Sequence, residues 1–328
     1  MSQYAHLSTP DPEYAALKAS LQMQPDLLTM RAVGVQMRAA RPAPSLPADH
    51  DYRVEDRQIS VEGGEITVRC YMPTPVAGGI FPLLVWYHGG GWVAGDLDMD
   101  DSNLRIVCVE RHISIVSVDY RLAPEYPFPA GANDSYTALK WAAENAETLL
   151  TSPLKGFLVG GSSAGGNLAA AMTLRARDDP FFITLPLTGQ LLQYPLVCHP
   201  DAYPERYKDE LLSMEQNKDA PVIGKNMIYW CIDLLNPPVT DPDFSPLLAT
   251  SHAGLPPACV QVCGLDALRD EGLLYEKVLK EQGVKTKLHI YPGVPHGVDS
   301  LFPELKASKK FENDFKEAID WMVGLSAH

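Results

Sequence analysis

Gly161-Ser162-Ser163-Ala164-Gly165 reads G-x-S-x-G and lies between the apolar run LKGFLVG and a helical pattern that starts near Ala164. A turn this sharp leaves no room for bulk at its flanking glycines. It pushes the central hydroxyl, that of Ser163, into the open at a helix N-terminus, where the dipole favours developing negative charge. A serine so placed is a candidate nucleophile for acyl transfer. Ser162 is a neighbouring hydroxyl, but it fills the variable position of the pattern. Upstream, His88-Gly89-Gly90-Gly91-Trp92 follows the run FPLLVWY. Acyl transfer needs donors aimed at the oxygen that becomes negative, and consecutive glycines let backbone N–H groups approach it. A glycine loop can instead cradle phosphate. No Lys-Ser/Thr follows as in a P-loop, however, and no G-x-G-x-x-G opens the next helix.

An activated serine needs a histidine and an acid, in the chain order Ser, Asp/Glu, His for a serine on such an elbow. Asp266 comes two residues after the run ACVQVCG, and His296 comes in a loop after KLHIY. Both follow strand-like runs, at the sheet edge that must also carry Ser163. Asp270 and Glu271 are rival acids, yet they fall inside the following helical pattern, and Asp266 is nearer the strand end. Of nine histidines, His6, His50 and His328 sit near the termini, His289 is mid-strand, and His199 and His252 flank a strandless stretch. His296 alone combines a post-strand loop with the required order.

The elements that would position these groups are legible as apolar runs. Strand-length runs are expected at 51–60, 65–72, 81–87, 113–119, 155–161, 187–194, 258–264 and 284–291. Helical patterns are expected at 98–112, 133–150, 164–178, 268–282 and 306–323. Runs that are apolar throughout belong to strands buried on both faces. Strand–helix alternation implies right-handed crossovers and a mostly parallel sheet with helices on both sides. The first two runs alternate polar and apolar residues around Gly63-Gly64, as in an antiparallel edge hairpin. Residues 1–50 and 200–243 do not fit the alternation and carry helical spacing, at Leu17, Leu21, Leu27 and Leu28, and at Met227, Trp230 and Leu234. Such insertions tend to lie over the strand ends, where ligands bind.

Composition removes other classes. The formal net charge of −14 and the absence of any basic block argue against a nucleic-acid partner. The charge-free stretches 72–95 and 181–200 are interrupted by Pro and Gly, so neither is the unbroken apolar run of roughly 20 residues a spanning helix requires. Six cysteines are too sparse for a disulfide scaffold, and Cys259 and Cys263 read as buried thiols rather than zinc ligands. The N-terminus lacks the basic and apolar regions of a secretory signal, and the expectation is a cytoplasmic protein.

Taken together, HGGGW at 88–92, DYRLAPE at 119–125, GSSAGGN at 161–167, SPL at 245–247, GLDALRDEG at 264–272 and the loop His296 resemble the hormone-sensitive-lipase-type α/β-hydrolases. The resemblance runs from about residue 80 to 300. It implies an eight-stranded, mostly parallel α/β-hydrolase sheet with helices on both faces and a helical cap. The cap would be built from 1–50 and 200–243, and the core from 51–199 and 244–328. It implies a serine carboxylesterase with Ser163 as nucleophile, Asp266 as acid, His296 as base, and the N–H groups of Gly89, Gly90 and Ala164 as oxyanion donors. Trp92 would add bulk beside the reacting carbonyl. The implied partner is a small-molecule ester, with no metal or cofactor, and the chain would act as a monomer or homodimer. Two departures bear on pocket shape. Ser162 stands where the family usually has Asp, and Val298 follows His296-Gly297 where an aromatic is common. Two alternatives remain open: a specialised natural-product deacylase, amidase or cyclase using the same triad, and a non-catalytic small-molecule receptor on the same scaffold.

Overall fold

Strands β3 (Leu83–Tyr87) and β4 (Ser114–Val118) are buried at every position, β3 apolar throughout and β4 apolar but for Ser114 and Ser117. The pleat sends alternate side chains to opposite faces. Val85, Tyr87 and Val116 enter one core, while Leu84, Trp86 and Ile115 enter another. Helices cover both. On the second face lie Asp101–Arg111, through Leu104 and Val107, and Lys306–Ser326, through Phe315 and Ile319. On the first lie Ala130–Glu144, Ala164–Asp178 and Arg269–Glu281.

These elements come from a computed structural model that describes residues 3–17, 26–40, 45–74 and 79–326. The remaining strands are β1 (Tyr52–Val61), β2 (Gly64–Pro73), β5 (Phe157–Ser162), β6 (Gly189–Gln193), β7 (Ala258–Leu265) and β8 (Thr286–Pro295). They form one eight-stranded sheet in the order β1-β2-β4-β3-β5-β6-β7-β8. The β1–β2 hairpin turns at Glu62-Gly63 and joins the sheet antiparallel, through β2 on β4; all later pairings are parallel. The C-terminal ends of the parallel strands therefore share one edge.

The expected elements are all present, with shifted ends. β5 begins at Phe157 rather than 155, because Pro153 opens a short 3-10 turn over Pro153–Lys155. β8 runs on to Pro295, one residue before His296, through a break in its register with β7 between Cys263 and Leu265. Residues 200–243 carry no strand; their longest element is helix Lys225–Leu235. In the N-terminal stretch, helices Pro12–Ala16 and Leu27–Ala40 form, and Leu21 lies outside the described residues. Leu17 and Leu28 are exposed there, while Leu7, Tyr14 and Met30 are buried. Cys259 and Cys263 are buried free thiols. Among the described residues, no helix is long and apolar enough to cross a membrane.

Candidate active site

Ser163 is the residue between β5 and helix Ala164–Asp178, and its backbone has φ 55° and ψ −115°. A non-glycine residue in this region is strained and is held only by its surroundings. The Ser163 N–H donates to Gln193 O at 2.8 Å, and its carbonyl accepts from Asn167 N at 2.9 Å. A Cβ on Gly165 would lie 1.9 Å from Tyr87 O, and one on Gly161 would lie 2.4 Å from Gly165. The elbow can pack onto the end of β3 only with glycine at both places.

Asp266 and His296 arrive at the same sheet edge from the ends of β7 and β8. His296 Nε2 lies 2.8 Å from Ser163 Oγ, and His296 Nδ1 lies 2.7 Å from Asp266 Oδ2. A neutral imidazole that donates Nδ1–H to the carboxylate accepts the serine O–H at Nε2. Asp266 is 1% exposed and His296 5%. The second Asp266 oxygen accepts Leu268 N at 2.9 Å, and its carbonyl accepts Asn217 Nδ2 at 2.8 Å. The structure brings the three residues together in the order serine, imidazole, carboxylate. That geometry lets a proton leave the hydroxyl as the oxygen attacks a carbonyl.

The rival acids are committed elsewhere. Helix Arg269–Glu281 begins just before them and turns both carboxylates toward backbone amides. Asp270 accepts Leu212 N and Ser213 N and pairs with Arg269. Glu271 accepts Val197 N, Cys198 N and Tyr203 Oη at 2.7, 3.0 and 2.6 Å. Burial pushes the Glu271 carboxyl up to about 7, against an ordinary value of 4.5. The folded state therefore keeps a proton that the unfolded chain releases as pH rises from about 4.5. Stability falls through that window, by on the order of 3 kcal/mol once pH passes 7. Glu271→Gln cannot ionise, so its melting temperature should gain on wild type progressively between pH 4.5 and 7.5 while turnover is kept. A pH-independent difference in melting temperature, or a dead variant, contradicts this role.

Gly89, Gly90, Trp92, Ser162 and Ala164 line the same cavity as Ser163 and His296, a space of about 390 Å³. A Cβ on Gly89 would sit 3.0 Å from Ser162 Oγ and 3.6 Å from Ser163 Cβ. The glycine loop thus lies directly over the elbow. Trp92, at φ 62°, packs its indole 5.1 Å from Phe244. The cavity lining also includes the apolar side chains of Met30, Val35, Met227, Ile228, Cys231 and Leu301. Met30 and Val35 belong to helix Leu27–Ala40, which Arg31 fastens to the loop region by donating to Val93 O, Ala123 O and both Glu125 carboxylate oxygens.

Three neighbours of the site were not anticipated from the sequence. Tyr194 sets its ring 4.5 Å from the His296 ring and donates its hydroxyl to Asp299 at 3.0 Å. Burial pushes Asp299 up to about 6. Asn217 holds the Asp266 carbonyl from the strandless insertion. Of these, only Tyr194 had a sequence signal, as the last residue of the expected strand run 187–194, at the sheet edge that carries Ser163.

A family model described as the alpha/beta hydrolase fold matches residues 84–300. Carboxylesterase NlhH of Mycobacterium tuberculosis is 38% identical over 283 residues, 81% of this chain and 82% of that protein. Among solved structures, Vibralactone Cyclase matches with TM-score 0.93 and 46% identity, over 98% of this chain and 97% of its own. The hyperthermophilic esterase from the archaeon Pyrobaculum calidifontis matches with TM-score 0.80 and 33% identity, over 96% and 99%.

Proposed function

The chain belongs to the α/β-hydrolase fold family, of the hormone-sensitive-lipase and carboxylesterase type, and from that premise we propose that it is a serine carboxylesterase working through an acyl-enzyme on Ser163. The observation that carries this is the unbroken chain of contacts from Ser163 Oγ through His296 to Asp266, at 2.8 and 2.7 Å. Ser163 attacks the ester carbonyl while His296 takes its proton, and Asp266 holds the imidazole tautomer and stabilises its charged form. The N–H groups of Gly89, Gly90 and Ala164 receive the oxyanion; a single such donor is worth roughly 10²–10³ in kcat. His296 then protonates the leaving alcohol, and water repeats the sequence on the acyl-enzyme. A retained nucleophile, base and acid weigh against a receptor that only binds.

Residues 51–199 and 244–328 serve as the hydrolase core, and 200–243 with the Leu27–Ala40 part of 1–50 as a cap, while residues 4–16 pack against Gly264 and Gly293 instead. Met30, Val35, Met227 and Ile228, from the two cap segments, line the cavity, which supports reading them as its roof. In a roofed cavity each added methylene gains about 0.8 kcal/mol of burial until the chain meets a wall. Activity on p-nitrophenyl esters should therefore peak at acyl chains of about two to six carbons and collapse by about C12, with Trp92 trimming the space nearest the carbonyl. A maximum at C12 or beyond, or strong activation at an oil–water interface, contradicts a closed roof. All three triad residues come from one chain, so a monomer or homodimer suffices, and six buried free thiols suit a reducing, cytoplasmic compartment.

A second reading is favoured by the likeness to Vibralactone Cyclase. In a covered, largely apolar cavity, a hydroxyl carried by the acyl chain itself can take the place of water and close a lactone. Product analysis on a hydroxyacyl ester separates the two: hydroxy acid for the esterase, lactone for the cyclase.

A further inference from the structure

The N-terminal segment divides. Helix Leu27–Ala40 reaches the cavity, whereas Tyr4 to Ala16 runs behind the two loops that bring in Asp266 and His296. There β7 and β8 part: their register breaks between Cys263 and Leu265 and resumes at Leu265 opposite Pro295. Breaks of this kind next to an active site re-aim the residues that follow. The strap fills the break. A Cβ on Gly264 would lie 2.3 Å from Leu7 O and 2.8 Å from Gly293 N, and one on Gly293 would lie 2.3 Å from both Thr9 O and Asp11 N. Gly293 has φ 69°, and its carbonyl accepts Asp11 N at 2.9 Å. Three backbones meet with no room for a side chain between them.

Ser8 fastens the crossing. Its hydroxyl donates to Gly264 O at 3.3 Å and accepts from Arg269 Nη1 at 2.6 Å and Gln216 Nε2 at 3.2 Å. That uses its one donor and both acceptor positions. Arg269 is fully buried and reaches Gln216 Oε1 as well, at 2.9 Å. Gly264 stands two residues before Asp266, and Gly293 three before His296. Farther along, Tyr14 packs edge-on to Phe302 at 5.3 Å, just beyond the histidine loop.

We propose that residues 4–16 are a positioning strap that sets the acid loop against the histidine loop, with Ser8 as the positioning residue on the Asp266 side and the Asp11–Gly293 contact on the His296 side. The inference rests on Asp266 and His296 being acid and base. Neither strap contact touches the cavity, so loosening them should alter turnover and leave substrate binding alone. A misplacement of about 1 Å in such a constellation can cost on the order of 10²-fold in rate.

The test is steady-state kinetics on p-nitrophenyl butyrate, with melting temperatures, for full-length Ser8→Ala, Ser8→Thr, Gly293→Ala and Asp266→Asn. Ser8→Ala should lower kcat about 3- to 10-fold with KM unchanged, and Ser8→Thr, which keeps the hydroxyl, should restore it. Gly293→Ala, which drives a methyl into the strap, should cost more, on the order of 10²-fold in kcat. If that variant does not fold, the Ser8 pair decides. Wild-type kcat in Ser8→Ala with an inactive Asp266→Asn overturns the strap and leaves the triad standing. A loss that Ser8→Thr does not restore, or that appears in KM as in kcat, makes the strap structural only and overturns it too. Near-wild-type kcat in Asp266→Asn overturns the triad reading itself.

Discussion

Ser163→Ala should lower kcat by about 10⁴-fold or more while the melting temperature stays near that of wild type, because in the proposed mechanism the hydroxyl oxygen is the atom that bonds to the acyl carbon. Nothing in the elbow depends on that oxygen. Its shape is set by the close packing of Gly161 and Gly165 and by the bond from Ser163 N to Gln193 O. Alanine at φ 55° meets the same backbone strain as serine. Ser162→Ala separates the two hydroxyls. Ser162 lines the cavity, but the His296 ring nitrogens bond to Asp266 and Ser163 rather than to it, so its loss should change KM and substrate preference far more than kcat. Near-wild-type turnover in Ser163→Ala with an inactive Ser162→Ala contradicts the assignment.

Asp266→Asn costs roughly 10²–10⁴ in kcat, since an amide cannot hold the imidazole with Nδ1 protonated and cannot stabilise the imidazolium. Asp270→Asn leaves kcat nearly unchanged and is felt as lost stability, because the Asp270 carboxylate holds Leu212 N, Ser213 N and the buried Arg269. Kinetics and melting curves on the two variants check both halves at once. If kcat falls in Asp270→Asn and not in Asp266→Asn, the triad acid lies in the helix.

The sheet, its helices and the positions of Ser163, Asp266 and His296, which the structure brings into contact, were legible because each leaves a local mark. Charge-free, largely apolar runs such as those at β3 and β4 report burial on both faces, and helix Ala164–Asp178 lies where its pattern put it. G-x-S-x-G reports a turn that only glycine allows. The choice of Asp266 over Asp270 and Glu271 turned on where helix Arg269–Glu281 begins. Sequence could rank the three by nearness to the strand end; the rivals' backbone partners from 197–198 and 212–213 appear only in the fold. Long-range features left no comparable signal. Gly264 and Gly293 read as ordinary loop glycines until the strap is seen passing between them. Met30 and Arg31 carry no periodicity that distinguishes a cavity wall from a surface helix. Tyr194 against His296 joins positions 102 residues apart (296 minus 194), and spacing alone cannot pair them.

The central claim is that one serine, activated by one histidine, carries the acyl group. Reaction with an aryl fluorophosphonate, followed by peptide mass analysis, tests it most directly, since the phosphonyl group stays on the oxygen that attacked. The account predicts a single adduct on Ser163, full loss of activity in step with labelling, and no adduct in Ser163→Ala. An adduct on Ser162, or stoichiometric labelling of Ser163→Ala, contradicts it.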